Sequence, residues 1–184
     1  MEALGWCCLA NLPYAQKRDS IEDGDVLLFQ GSGLFSRLIR WVTRSRYSHS
    51  GLAIWWNDRL MVLESTEPEV RIMPLSILIG HYPRVDLYKP TKLLNRMQVF
   101  EAATEALGKK YAVWTVIRYA RRILFKIRGG GDPRTPPDKF VCSQLVSFAY
   151  RDGGLDLNPS DTDEFTTPED LAVSKGLVFV GTLR

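Results

Sequence analysis

The chain has 184 residues, of which 45% are hydrophobic and 24% are charged, and this balance is typical of one globular domain with a core of its own. Its net charge of +3 is too small to favour nucleic-acid binding. Three cysteines and two histidines, without the spacing of zinc ligands, argue against a disulfide framework and a structural metal site, so we expect a reducing compartment and no cofactor.

The N-terminal residues lack the basic and long apolar segments of a signal peptide, and no apolar run reaches the length of a transmembrane helix. We therefore expect synthesis in the cytoplasm, and a form that acts outside the cell would need another route of export. Residues 1–20 show no clear period and are predicted to be a loosely held N-terminal arm. Residues 21–184 are predicted to form a single domain.

The first predicted elements are a strand and a helix. A turn at Asp23 to Asp25 precedes a short apolar strand over Val26 to Phe29. The turn Gly31-Ser32-Gly33 then leads into an amphipathic helix over Leu34 to Val42. This turn lacks the spacing of a phosphate-binding loop, so a nucleotide site is not predicted. The arginines expected on the solvated side of the helix are Arg37, Arg40 and Arg44.

The segment from Tyr47 to Trp56 predicts a second strand. Strand alternation places His49, Gly51 and Ala53 on one face. The two small residues leave room beside the imidazole, as an approaching substrate would need. A single histidine on a strand is more often structural than catalytic, so this pattern alone leaves both roles open.

A tight hairpin is predicted to follow this strand. Asn57–Asp58 suits a two-residue loop, because both residues tolerate a positive φ. The returning strand, Arg59 to Ser65, would then place Glu64 opposite Gly51 and diagonal to His49 on the same face.

Glu64 interrupts an apolar run, where a carboxylate is costly unless it has a partner. The histidine would be such a partner. The alternative is a glutamate at the end of a strand that reaches solvent. A three-residue loop would reverse the alternation and favour Glu67 instead.

Further elements complete the predicted sheet. Strands over Val70 to Leu75 and Pro83 to Tyr88 make an antiparallel sheet of about five with the earlier ones. His81, in the turn between them, is the rival base and is expected at the surface. A helix over Met97 to Leu107 follows, and a last strand covers Leu177 to Val180.

A basic helix is predicted over Val113 to Ile127. Its charged face, with Trp114 and Phe125 among the cations, would suit an anionic surface, either membrane or polymer. A solvated face whose long stems cover apolar neighbours is the alternative. The residues that would make the contact are Arg118, Arg121, Arg122 and Lys126. No nucleic-acid partner is expected, and the sequence leaves the oligomeric state open.

The segment from Phe140 to Tyr150 predicts a helix with Cys142 in or near its first turn. A helix N-terminus stabilises a thiolate and therefore lowers the pKa of a cysteine placed there. Such a thiol is either a nucleophile or an inert core residue, and this segment alone leaves both roles open. The apolar face of the helix comprises Cys142, Leu145, Val146 and Ala149.

Six short segments, taken in order along the chain, form a series of motifs. They are Gly24 to Phe29, Tyr47 to Gly51, Val62 to Ser65, Gly108 to Tyr111, Val141 to Val146 and Thr167 to Leu171. In this order they resemble the YiiX-like proteins, the circularly permuted, papain-like branch of the NlpC-type cell-wall peptidase superfamily, in which histidine precedes cysteine. The neighbouring lecithin–retinol-acyltransferase-like branch carries an asparagine-cysteine-glutamate-histidine segment, which this sequence lacks.

The resemblance implies an α+β, circularly permuted papain-like fold, whose antiparallel sheet packs against the helix bearing the cysteine. It implies a triad in which Cys142 is the nucleophile, His49 the base and Glu64 the polar third member. The implied activity is hydrolysis through a thioacyl intermediate. The leading implied substrates are peptide-like amide bonds of the bacterial cell wall. Two alternatives stay open, a lipid-acting thioesterase, phospholipase or acyltransferase with the same triad, and a binding module without turnover.

Overall fold

Six antiparallel strands form the central sheet in a computed structural model that describes residues 14–111, 139–159 and 163–184. The described strands are β1 (Val26–Gln30), β2 (His49–Trp56), β3 (Arg59–Ser65), β4 (Val70–Pro74), β5 (Arg84–Pro90), β6 (Lys110–Tyr111), β7 (Lys139–Phe140) and β8 (Leu177–Thr182). The sheet order is β4-β3-β2-β1-β5-β8, and β6 and β7 form a separate parallel pair. The sequence predicts about five strands in the sheet, and the sixth is the C-terminal strand β8, which pairs with β5.

Six α-helices are described, together with the 3₁₀-helices Arg18–Ser20 and Asp163–Phe165, and none of these is long and apolar enough to cross a bilayer. The α-helices are α1 (Tyr14–Lys17), α2 (Leu34–Thr43), α3 (Leu75–His81), α4 (Arg96–Thr104), α5 (Cys142–Asp152) and α6 (Pro168–Val173). The sequence patterns do not predict α3, which begins where β4 ends and buries Leu75 and Leu78 one turn apart. The predicted helix over Val113 to Ile127 lies outside the described residues.

Apolar side chains alternate along the strands and fill a core on each face of the sheet. The core between the sheet and the helices α4 and α5 includes Leu28, Leu52, Leu63, Val99, Val146 and Ala149. The core on the other face includes Leu27, Phe29, Val62, Leu75, Leu87 and Val180. Because α5 packs against β2 and β3, its first residue, Cys142, is held close to the sheet.

Residues 14–20 pack against the domain, whereas the sequence assigns residues 1–20 to a loosely held arm. Lys17 is fully buried, and its ammonium donates a hydrogen bond of 2.9 Å to the backbone carbonyl of Thr182 in β8. Tyr14 packs against the core on the face of the sheet opposite to α4 and α5. A buried ammonium is costly without an acceptor, so this contact ties the segment to the C-terminal strand. Residues 1–13 lie outside the described part of the chain.

Helix α2 is amphipathic, as predicted, but three of its apolar side chains are exposed. Of the arginines expected on the solvated side, Arg37 and Arg44 are exposed, whereas Arg40 is half-buried. The chain therefore carries an apolar stripe on its surface between β1 and β2. The exposed apolar residues of this stripe are Leu34, Leu38 and Trp41.

Gly51 in β2 lies so close to β3 that a larger side chain does not fit. A Cβ atom at this position would lie 2.5 Å from Cγ1 of Val62 and 3.0 Å from the backbone oxygen of Leu63. Contacts this short force the neighbours to move. The room that the sequence suggests for an approaching substrate is therefore filled by β3.

Replacing Gly51 with alanine is expected to lower the free energy of unfolding by about 1–3 kcal/mol, because overpacking a filled core displaces its neighbours. Gly33→Ala is the matched control, since no atom of the described residues, apart from its chain neighbours, lies within 4 Å of a Cβ at that position. Denaturant unfolding of both variants measures the difference. Equal free energies of unfolding for Gly51→Ala and Gly33→Ala would mean that β3 shifts to accommodate the added methyl group without loss of stability.

Candidate active site

His49 and Glu64 face each other across the hairpin formed by β2 and β3. The two-residue loop pairs Gly51 with Glu64, as predicted. In this register Nε2 of His49 lies 2.7 Å from Oε2 of Glu64, and both side chains are buried. Glu67, the alternative partner, is exposed in the loop after β3.

Cys142 meets His49 from the N-terminal end of α5. It follows the N-cap residue Val141, and it is free and buried. The thiol is hydrogen-bonded to the imidazole, which lowers the thiol pKa. Because Nε2 of His49 contacts Glu64, the other ring nitrogen, Nδ1, is the one that faces the sulfur. The structure thus brings the three predicted residues into one line of contacts.

The thiol and the imidazole stabilise each other as a thiolate and an imidazolium. Burial raises the pKa of Cys142, but the charge of His49 and the hydrogen bond to it outweigh burial and hold the pKa below its usual value. Burial lowers the pKa of His49, whereas contacts with Cys142 and Glu64 raise this pKa well above its usual value. The thiolate is the nucleophilic form of cysteine, so this ion pair is the reactive state.

Ser50 makes two further contacts with Cys142 that the sequence does not reveal. Its backbone N–H and its hydroxyl both interact with the sulfur and help to lower the pKa of the thiol. The hydroxyl is buried and has no hydrogen-bond partner among the described residues. Side chains alternate along a strand, so Ser50 points to the opposite face from His49. Strand alternation therefore does not group Ser50 with His49, which is why the sequence pattern does not reveal its contact with the thiol.

Arg71 in β4 holds the second oxygen of Glu64. It lies directly across from Glu64 in the pairing of β3 with β4, and its Nε and Nη2 atoms lie 3.0 Å and 2.9 Å from Oε1. Burial raises the pKa of Glu64, but the contacts with His49 and Arg71 outweigh it and hold the pKa below its usual value. The carboxylate therefore stays ionised and oriented. Pairing of opposite charges across strands is a sequence signal for this arginine only once the pairing of β3 with β4 is known.

Two aromatic rings enclose the imidazole of His49. The ring of Tyr82 stacks at 6.0 Å between centroids with an interplanar angle of 8°, and the ring of Phe29 lies at 5.4 Å. Phe29 is also the strand partner of His49 in the pairing of β1 with β2. These contacts restrict rotation of the imidazole, so Nδ1 stays directed at the sulfur.

Tyr111 packs against Val141, the residue before Cys142. The parallel pairing of β6 with β7 aligns Tyr111 with Phe140, close to the start of α5. Burial raises the pKa of Tyr111, and negative charge on Cys142 raises it further. The phenol therefore stays protonated when the thiolate forms.

Other predicted residues lie away from this site or outside the described chain. His81 is exposed at the end of α3, as expected. The basic residues proposed for an anionic contact lie outside the described residues, so that contact stays a prediction. They are Arg118, Arg121, Arg122 and Lys126.

Comparison with known proteins identifies the family. Residues 20–162 match the family model of the permuted papain-like amidases YaeF/YiiX, family C92. The chain belongs to this family. The C92 amidase described here is therefore an enzyme of the cysteine peptidase and amidase class, as the YiiX-like segments imply. No match was found among curated proteins.

The C92 amidase is similar in fold to a solved structure, described as the metalloprotein YiiX from Escherichia coli O157:H7. The TM-score is 0.65 at 18% sequence identity, and the match covers 87% of this chain and 96% of that chain. Identity this low shows the fold alone. The permuted papain-like α+β architecture is therefore confirmed.

The described donors of the C92 amidase do not fit the metal that the description of YiiX mentions. Within residues 14–111, 139–159 and 163–184, no group of three or more histidine, cysteine, aspartate and glutamate side chains could hold an ion. Nε2 of His49 and both oxygens of Glu64 are instead occupied by contacts within the protein.

Glu64→Gln is expected to lower kcat/KM of the C92 amidase about 10²-fold, less than loss of the nucleophile, because the carboxylate acts through the imidazole. Since Glu64 helps to raise the pKa of His49, the alkaline limb of the pH profile should move to lower pH. Steady-state rates across pH measure both effects.

Glu67→Gln, on the exposed loop nearby, is the matched control and should leave rate and profile unchanged. An alkaline limb that stays in place in Glu64→Gln would show that the carboxylate does not control the imidazole.

Proposed function

We propose that this amidase cleaves peptide-like amide bonds of the bacterial cell wall, with Cys142, His49 and Glu64 as its catalytic triad. The observation that carries the proposal is the unbroken line of contacts from a buried thiol through an imidazole to a buried carboxylate. The lowered pKa of the thiol and the raised pKa of the imidazole favour the reactive ion pair. An inert core cysteine needs no such partners.

In the acylation step, the thiolate of Cys142 attacks the carbonyl carbon of the substrate, and its electron pair forms the C–S bond. The carbonyl oxygen takes up the negative charge. When this oxyanion collapses, the C–N bond breaks and the leaving nitrogen receives the proton held by His49. The free amine departs and leaves a thioester and a neutral imidazole.

In the deacylation step, the neutral His49 takes a proton from water as the water oxygen attacks the thioester carbon. Collapse of the second oxyanion breaks the C–S bond and releases the carboxylic acid product. The sulfur departs as a thiolate beside the imidazolium, so the ion pair is restored. Glu64 orients the imidazole and stabilises its charged form in both steps.

Two donors are proposed for the oxyanion. The first is the backbone N–H of Cys142, which has no intrahelical acceptor because it belongs to the first turn of α5. The second is the phenol of Tyr111, which packs against Val141, the residue before Cys142, and stays protonated because burial and the charge of Cys142 raise its pKa. Donors aimed at the developing charge lower the barrier of acyl transfer.

The substrate class rests on resemblance and on the chemistry of the family. The six YiiX-like segments resemble a branch of the NlpC-type cell-wall peptidase superfamily, and the matching family is one of amidases. Amides with a peptide-like acyl group are therefore the substrates to test first.

The proposal is tested by incubating the wild-type protein and Cys142→Ala with purified muropeptides and, in parallel, with phospholipid vesicles. Chromatography with mass spectrometry should show new amine and carboxyl ends from muropeptides with the wild type alone. Release of fatty acids from lipid without muropeptide cleavage would favour the lipid-acting alternative. The absence of any product together with an unactivated thiol would favour a binding module.

A further inference from the structure

Helix α2 presents an apolar stripe to solvent. Its members are spaced four and three residues apart, so they lie on one side of the helix. They remain largely accessible, with exposures of 84% for Leu34, 52% for Leu38 and 74% for Trp41. A contiguous set of large apolar side chains in water is unfavourable and marks an interaction surface.

The helix contacts the protein with its polar side. The hydroxyl of Ser36 packs against Gly31, where it lies 2.3 Å from the position that a Cβ would occupy. The Nε atom of Arg40 is buried. Surface helices of globular proteins normally show the reverse arrangement, with apolar residues inward. Within the described part of the chain, the orientation of α2 therefore leaves the apolar stripe uncovered and available to a partner.

The charges around the stripe indicate an anionic partner. Arg37, Arg44 and Arg46 are exposed, and the sequence contains no aspartate or glutamate between Asp25 and Asp58. A helix with leucine and tryptophan on one side and arginines on the other is typical of segments that lie in the interface of a bilayer. Tryptophan also prefers the headgroup level of a membrane.

We propose that α2 docks the protein on an anionic membrane surface. The stripe of Leu34, Leu38 and Trp41 enters the boundary of the acyl chains, and the guanidinium groups of Arg37 and Arg44 bind lipid phosphates. Docking is distinct from the proposed reaction, because it requires neither the thiol nor its partners.

The docking helix lies at the catalytic end of the sheet. Helix α2 joins the end of β1 to the start of β2, and Phe29 pairs with His49 at this end. The backbone N–H of Gly31, after β1, donates a hydrogen bond of 2.9 Å to the hydroxyl of Ser48, before β2. This bond links the two ends of the segment that contains α2. Docking through α2 therefore brings the catalytic end of the sheet close to the membrane and concentrates the enzyme on substrates held there.

Co-sedimentation with lipid vesicles tests the proposal, and Cys142→Ala is used throughout so that turnover does not alter the lipid. The protein should bind vesicles of phosphatidylcholine that contain phosphatidylglycerol and should bind pure phosphatidylcholine much less. Added salt should weaken the binding, since it screens the arginines.

Two sets of substitutions separate the apolar and the charged contributions. Replacing Leu34, Leu38 and Trp41 together with serine should lower the partition coefficient by at least about 10²-fold, because three apolar side chains no longer leave water. Arg37→Gln with Arg44→Gln should lower it about thirtyfold on anionic vesicles, since each basic residue near the surface contributes separately. Trp56→Ser with Leu93→Ser is the matched control, at sites that are 59% and 100% exposed, and should change nothing.

Three results would overturn the proposal. The first is vesicle binding by the serine variant equal to that of the parent protein, with circular dichroism showing both folded. The second is a concentration-dependent dimer that the serine variant loses, which would assign the stripe to a second copy of the chain. The third is a Trp41 that acrylamide does not reach in the free protein, measured against Trp41→Phe, which would place another part of the chain on the stripe.

Discussion

Replacing Cys142 with alanine is expected to lower kcat/KM by at least about 10⁴-fold, because no other group described at the site can form the thioacyl intermediate. Oxyanion donors stabilise the charge that attack creates, but they supply no nucleophile. Muropeptide cleavage followed by chromatography measures the loss. Mass spectrometry of the wild-type protein, quenched during turnover, should also show an acyl group on the peptide that contains Cys142.

Two variants control for the other thiols and for folding. Cys7→Ser with Cys8→Ser removes the remaining cysteines of the chain and should retain full activity. Cys142→Ser should fold like the wild type and stay nearly inactive, because a hydroxyl beside the imidazole is not ionised as the thiol is. Activity of Cys142→Ala within about tenfold of the wild type would remove the thiol from the mechanism.

His49→Ala is expected to lower kcat/KM by about 10³–10⁴-fold, because the imidazole transfers a proton in each half of the proposed reaction. The wild-type profile should be bell-shaped. Its acid limb reflects the lowered pKa of Cys142, and its alkaline limb reflects the raised pKa of His49. The residual activity of His49→Ala should lose the alkaline limb, and its acid limb should move to higher pH because the thiol no longer has a cationic partner.

The chain offers a matched control in its second histidine. His81→Ala alters an exposed side chain at the end of α3 and should retain the rate and the profile of the wild type. Equal losses in the two variants would mean that neither histidine has the assigned role, and a profile of His49→Ala that keeps both limbs would contradict the ion pair.

The contact between His49 and Glu64 could be predicted from the sequence because both residues belong to one hairpin. A two-residue loop leaves a single register, and strand alternation then decides which glutamate shares the face of the histidine. The contact of Cys142 with this pair could not be derived in that way. It depends on how α5 packs against the sheet, and α5 is far from the hairpin along the chain. The sequence suggests this contact only through family resemblance.

Arg71 and α2 show where sequence patterns are insufficient. The segment with Arg71 is predicted to be a strand, but its partner depends on the path of the loop before β4, which local patterns do not determine. The period of α2 predicts an amphipathic helix correctly. It does not say which side the protein covers, and the structure leaves the side with Leu38 and Trp41 exposed.

The most direct test of the central claim is alkylation of Cys142 by iodoacetamide as a function of pH, in a Cys7→Ser and Cys8→Ser background so that one thiol reacts. The ion pair predicts half-maximal reactivity below the ordinary cysteine pKa of ~8.5. It also predicts that His49→Ala moves the midpoint to that value or above, because burial then acts on the thiol without its cationic partner. A midpoint near ~8.5 that His49→Ala leaves unchanged would contradict the activated thiol.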